Sequence, residues 1–312
     1  MAQSAEATKS PEQSVHRLPN FLIIGVQKSG TTSIYNYLKA HPQIFMSSVK
    51  ETNFFERNWE NESPERLARR KNGINTLADY SRLFDGVTDE QAWGEASPNY
   101  LFHHQQSVDL IRQHVPGAKL IAILRNPVER AYSDYLMSVR DAIGTSQRSL
   151  GEQVKTRGSS SFTLLKGRYY EQIKHFIDVF GTNQVQVLLY DDLRQDAGQL
   201  MQDMYAFLGV DPTFTPDTSK RAQTAQVPKN QALNRLMRTE NPLRSVVSGV
   251  MRGLLPESTR QKLRSQLLSL NSQSKAALPL SDTDRQLLID YYRDDILKLQ
   301  DLLGRDLSAW LR

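Results

Sequence analysis

The 312 residues include no cysteine. That excludes a disulfide framework and any structural metal site built on thiolates, and it fits a reducing compartment better than a secretory one, so the expected setting is cytoplasmic. Nor is there any run approaching the ~20 apolar residues of a membrane span. The opening stretch, residues 1–19, is polar and has no apolar core of the signal-peptide kind; it reads as a disordered tail. Internal repeats and long low-complexity tracts are also missing. No sign of charge dominates: 39 Lys and Arg against 34 Asp and Glu leave a formal charge of +5, with a pI near 9.3. Such a balance gives modest attraction to anions, such as a nucleotide, an acidic glycan or a membrane surface. Nucleic acid is not an expected partner.

What is present is an alternation of short apolar runs and helical stripes. FLIIGV at 21–26 enters a glycine-containing turn, and 31–40 continues with Ile34, Tyr37 and Leu38 at helical spacing until His41-Pro42 stops it. KLIAIL at 119–124 leads through Arg125-Asn126-Pro127 into a stripe of Val128, Ala131, Tyr132 and Tyr135. VQVLLY at 185–190 lies between a helix bearing Ile173, Phe176, Ile177 and Phe180 and another over roughly 196–208. This order predicts an α/β fold: a P-loop-like parallel β-sheet flanked by helices, occupying one domain over 20–312. From about 229 only helical patterns remain, so 229–312 is expected as a mainly helical acceptor-side and C-terminal region, ending in a helix near 282–303 closed by Gly304. TRGSSS at 156–161 reads as a flexible surface loop.

Ligands of parallel sheets bind beyond the carboxyl ends of the strands, which directs attention to the loops after Val26 and Leu124. The first is almost a nucleoside-triphosphate loop. In G-x-x-x-x-G-K-[ST] the lysine follows the second glycine. Here Gly25 and Gly30 have that separation, but Thr31 occupies the lysine position, Lys28 sits upstream and Thr32 keeps the hydroxyl. Taken alone the two glycines are ordinary turn residues. A glycine turn feeding a helix nevertheless offers backbone N–H groups and a positive helix end to an anion. A kinase would need a carboxylate for Mg²⁺ at the end of a neighbouring strand, whereas this strand ends in Arg125, which suits a phosphate bound directly.

GVQKSGTTS, KETNFF and LRNPVERAYSDYL together closely resemble the sulfotransferases that use 3′-phosphoadenosine 5′-phosphosulfate (PAPS), especially bacterial members and the heparan-sulfate group. GEASPNYL, GRYYEQIKHF, QVQVLLYDDL and LLGRDLSAW extend the resemblance over nearly all of 20–312. It implies that Lys28, Ser29, Gly30, Thr31, Thr32 and Ser33 form the 5′-phosphosulfate loop and that Arg125 with Ser133 clamps the 3′-phosphate. Lys28 would stabilise charge on the leaving oxygen without a metal. Glu51 matches the family's catalytic glutamate and is expected as general base, tuned by burial and by Lys50 or Lys28. Lys229, within Pro228-Lys229-Asn230, and Lys220-Arg221 fall where the family closes a loop over the nucleotide.

The implied reaction is sulfuryl transfer to a hydroxyl, less readily an amine, of a carbohydrate or glycolipid. One departure stands out: Ala96 follows Glu95 where heparan-type enzymes often carry lysine, which leaves room for His103 or His104 at the acceptor. Between 229 and 264, eight Lys or Arg face two Glu, reading as a solvated basic face or as a surface for peripheral membrane contact. The alternatives are a P-loop nucleotide kinase and a catalytically inactive glycan- or membrane-surface-binding protein.

Overall fold

The computed structural model describes residues 17–68, 70, 72–141, 148–218, 226–228, 272–274 and 278–312. Lys220, Arg221, Lys229 and the basic stretch to 264 lie outside the described residues. So does the N-terminal tail, apart from Arg17, Leu18 and Pro19.

The apolar runs are strands because their residues are covered on both sides. β1 (Phe21–Gly25) and β4 (Lys119–Leu124) are buried almost throughout, the signature of a parallel sheet sandwiched between helices. β2 (Ile44–Met46), β3 (Ala92–Ala96) and β5 (Val185–Leu189) complete a five-stranded, all-parallel sheet in the order β2-β3-β1-β4-β5. β2 and β3 carry too little periodicity to be read from sequence: one has three residues, the other contains a glutamate and a glycine. Gly94 is required there by contact, since a Cβ would collide with the Phe21 carbonyl oxygen on the neighbouring strand.

Two helical layers flank the sheet. Phe21 and Ile23 of β1, with Ile121 and Ile123 of β4, face α1 (Thr31–Lys39) and α10 (Ala197–Leu208). Leu22 and Ile24, with Leu120, Ala122 and Leu124, face the other layer, which holds α4 (His104–His114), α5 (Pro127–Asp141), α8 (Tyr169–Phe180) and α11 (Asp282–Leu303). Each large apolar side chain so buried contributes roughly 1.5–3 kcal/mol relative to exposure. Shorter helices lie in the connections: α2 (Pro64–Ala68), α3 (Leu77–Ser81), α6 (Leu150–Arg157), α7 (Phe162–Leu165) and α9 (Tyr190–Gln195).

Because the chain runs from β1 out to β2 and β3 and then returns to β4 on the other side, the loops leaving β1 and β4 part in opposite directions. Helices α1 and α5 therefore lie on opposite faces, and the crevice between these two strands is the topological switch point where such sheets bind ligands.

After 229 the described residues include one short strand: β7 (Ser272–Ser274) pairs antiparallel with β6 (Gln226–Pro228), a contact between distant polar segments that leaves no local pattern. One expectation is corrected: TRGSSS is not a free loop. Thr156 and Arg157 end α6, the amides of Ser160 and Ser161 donate to the Arg157 carbonyl at 2.9 and 2.8 Å, and the Tyr291 hydroxyl donates to Gly158 O at 2.6 Å.

Candidate active site

The β1–α1 turn brings its anion-binding groups together by backbone geometry. Gly30 caps α1 with φ 89°, left-handed, and supplies no side-chain cap. Glycine is favoured there by conformation, and a Cβ on Gly30 would also come within 2.8 Å of the Leu193 Cδ2 and 3.1 Å of the Tyr190 ring, which would have to shift. The first turn of α1 has no acidic residue. Other helices here spend side chains on the same duty: Thr76, Ser149, Asp196 and Ser281 cap α3, α6, α10 and α11. The α1 end keeps its N–H dipoles available for an anion.

The side chains of the loop fit the same purpose. Ser29 is fully buried and among the described residues its hydroxyl has no hydrogen-bond partner, a state that costs about 1–3 kcal/mol unless something binds there. Lys28 also adopts a left-handed backbone, φ 75°. Among the described residues its Nζ meets only the Met137 thioether, at 3.4 Å, a weak acceptor that leaves its donors largely unspent. Burial lowers the Lys28 pKa; the carboxylates of Asp134 and Asp141 oppose that shift, and Arg140 and Arg125 reinforce it. Thr31 is buried, Thr32 exposed and Ser33 half-buried. The Ser33 amide is already bonded to Gly30 O at 2.9 Å.

Arg125 joins this loop from the end of β4. Its Nη1 donates to the Lys28 carbonyl at 3.1 Å, and its guanidinium lies 4.9 Å from the centre of the Tyr190 ring. Tyr190, which no motif singled out, thus packs against both Gly30 and Arg125. Glu129 lies 3.7 Å from Arg125 and is shared with Arg285 at 2.9 Å. Ser133 is half-buried on α5, within its first two turns. These residues come together from β1–α1, β4–α5 and α9.

The Glu51 side is built differently. Lys50 reaches back to donate to Thr32 Oγ1. Glu51 opens a cleft of about 350 Å³ whose walls include Asn53, Glu56, Trp59 and Asn72. Glu51 is exposed, not buried as expected: its backbone, at φ 59°, is pinned to the end of β3 by the bond from its amide to Ala96 O, and its side chain lies at the surface. At the neighbouring Lys50, burial lowers the pKa and the Glu51 charge opposes the shift.

Beneath this segment lies a group that sequence reasoning passed over. Glu95, on β3, is fully buried and accepts hydrogen bonds from Tyr100 Oη and Ser97 Oγ, both at 2.7 Å. Burial raises its pKa to about 7, with those hydroxyls and that of Thr52 pulling the other way. The signal was a glutamate inside a strand, visible only once the strand is known.

The two histidines separate. His103 pairs with Glu56 across 3.2 Å, on the cleft side, and burial lowers its pKa. His104 faces His175, with Nδ1 atoms 3.0 Å apart, and so does not join the cleft.

A left-handed, uncapped turn at the switch point of a parallel sheet, with a spare lysine and a guanidinium converging on it, defines a P-loop-like α/β protein whose loop is suited to an anionic group without the triphosphate-loop lysine. The chain belongs to the sulfotransferase family, whose model matches residues 19–216. It is 29% identical over 323 residues to human bifunctional heparan sulfate N-deacetylase/N-sulfotransferase 3, covering 97% of this chain and 32% of that protein. It thus spans about a third of the length of such curated relatives. A 123-residue stretch, 39% of this chain and 24% of the relative, is 35% identical to the membrane-associated sulfotransferase kil1 of Dictyostelium discoideum. Among solved structures, a sulfotransferase from Alicyclobacillus acidocaldarius superimposes with a TM-score of 0.68 at 30% identity, covering 95% of this chain and all of that one.

Proposed function

We propose that this chain moves the sulfuryl group of PAPS onto a hydroxyl of a carbohydrate or glycolipid. The observation that carries the reading is the loop itself: an acid-free, uncapped helix end, an orphaned Ser29 hydroxyl and the Lys28 ammonium, with Arg125 held alongside. PAPS supplies an activated sulfuryl group on a phosphate oxygen.

In this reading the α1 N–H groups with Ser29, Thr31, Thr32 and Ser33 orient the 5′-phosphosulfate, and Arg125 with Ser133 takes the 3′-phosphate. Lys28 acts where negative charge grows on the bridging oxygen. Its contact strengthens as the bond breaks, so it accelerates turnover more than it tightens binding. Glu51, exposed at the cleft, is reachable by an incoming acceptor and takes its proton, with Lys50 beside it.

The carbohydrate acceptor is supported by the heparan sulfate named for the curated relative. The N-sulfotransferase in the same name favours an amine as a second reading. A membrane-associated relative supports peripheral membrane contact by a glycolipid-modifying enzyme.

Titration with adenosine 3′,5′-bisphosphate (PAP) in the absence of Mg²⁺ tests the donor side, and a screen of glycan hydroxyls and amines with labelled PAPS tests the acceptor. Saturable PAP binding and label transfer are expected. Mg²⁺-dependent ATP turnover without PAP binding would replace this reading with a kinase; PAP binding without transfer to any glycan would leave a binding protein.

A further inference from the structure

Lys166 carries none of the motifs above, yet it touches the phosphate loop. It sits in the turn between α7 and α8, whose backbone is held by bonds from the amides of Gly167 and Arg168 to the carbonyls of Leu164 and Leu165, at 2.9 and 3.1 Å. From there its Nζ donates to Gln27 Oε1 at 2.7 Å. Gln27 immediately precedes Lys28. A lysine ammonium has donors only, so the oxygen end of the Gln27 amide must face it and the –NH₂ end is turned away. Among the described residues no partner meets that nitrogen.

Burial lowers the Lys166 pKa; the carboxylates of Asp134, Glu56 and Glu51 oppose that shift and Arg130 reinforces it. Glu51 and Glu56 line the acceptor cleft. Asp134 also favours the charge on Lys28. It is itself buried and paired with the fully buried Arg130 at 3.2 Å. The bond to Gln27 ties Lys166 to the loop that would hold the donor, and Gln27 is the loop residue it meets.

We propose that Lys166 is a positioning residue for the transferring group: by holding Gln27 Oε1 it aims the Gln27 amide N–H donors at the oxygens of the sulfuryl group. The inference rests on the reading of PAPS as donor. A lysine that only stitched the α7–α8 turn to the sheet would bear on both nucleotides alike, because PAP keeps every phosphate of PAPS and lacks only the sulfuryl group.

Equilibrium binding of PAPS and of PAP to the full chain separates the two. Lys166→Met and Gln27→Ala should each weaken PAPS about tenfold, the scale of one lost hydrogen bond to a charged group, and change PAP by less than twofold. Lys166→Arg should restore most of the PAPS affinity, and the double variant should be no worse than Gln27→Ala alone, since one acts through the other. Equal weakening of both nucleotides, unchanged PAPS binding, or additive losses in the double variant would overturn the role. If Lys166→Met does not fold, Gln27→Ala alone decides by the same PAPS-to-PAP ratio. Wild-type protein that binds neither nucleotide would instead remove the donor reading, and this inference with it.

Discussion

The loop proposed for the donor and the segment proposed for the acceptor are both held in left-handed backbone, at Lys28 in one and at Glu51 and Asn53 in the other, but they are held by opposite means. The loop is nearly continuous in sequence, residues 25–33, and its order comes from Gly30, a helix end and one guanidinium bond. The segment around Glu51 has no regular structure of its own. Its backbone is pinned from outside: the Glu51 amide donates to Ala96 O and the Asn53 amide to Ser97 Oγ, both at 2.9 Å, while Arg70 and Asn72 donate to the Thr52 carbonyl at 2.9 and 3.0 Å. Below it the Glu95 hydroxyl network forms a polar floor. Non-glycine residues with positive φ persist only where the surroundings over-determine them. The proposed anion cradle is made of local backbone, whereas the proposed base needs a scaffold supplied by the rest of the fold.

The sharpest way to break this contrast is at Glu51. Glu51→Gln keeps the shape but cannot take a proton, so sulfation should fall about 10²- to 10⁴-fold while PAP affinity survives. Near-wild-type turnover would remove Glu51 from the mechanism and turn attention to His103, paired with Glu56.

The floor beneath it is tested by pH. Glu95 has a folded-state pKa raised from 4.5 to about 7, so the folded protein binds more protons than the unfolded chain between those values. Its contribution is fully present below about pH 4.5 and is lost as the pH rises through about 7, by roughly 3 kcal/mol at most. Urea unfolding of Glu95→Gln at several pH values should show a flatter dependence across this window than wild type. An unchanged slope would mean that Glu95 ionises in the fold as freely as in the unfolded chain.

On the donor side, Arg125→Ala should cost about 1.5–3 kcal/mol of PAP affinity, the worth of a charge-assisted contact, and leave adenosine 5′-phosphate far less affected. Calorimetric titration that showed both ligands equally weakened would take Arg125 off the 3′-phosphate. The smallest effect expected is Gly30→Ala. The left-handed conformation costs an alanine about 1–2 kcal/mol, and the methyl must also displace Leu193 or Tyr190. Its melting temperature should drop, and a variant as stable as wild type would show that the turn can adopt another conformation.

How much was legible follows the same division. The runs 21–26 and 119–124 announce themselves as buried strands because every residue is apolar, and the shifted lysine is visible because Gly25, Lys28, Gly30 and Thr32 sit within eight positions. The helix closed by Gly304 was equally plain: its glycine adopts the left-handed cap at φ 59°. By contrast, β2 and β3 were missed because a three-residue strand and one containing Glu95 carry no period. Glu51 was identifiable through resemblance, but its exposure was not, since that depends on where Ala96 and Ser97 place the backbone. Tyr190 and Lys166 were invisible as site residues for the same reason.

By itself, then, the sequence determined the strand-turn-helix units, the anion loop and the cation beyond β4, because each depends on neighbours within a few residues and on the φ that glycine permits. Only the tertiary structure decided which helix covers which face, that Glu95 is a buried carboxyl near neutrality, and that Lys166 meets Gln27 across 139 positions. Those outcomes arise from desolvation and from contacts between distant segments, whose free energy exists only once the sheet order has placed them side by side.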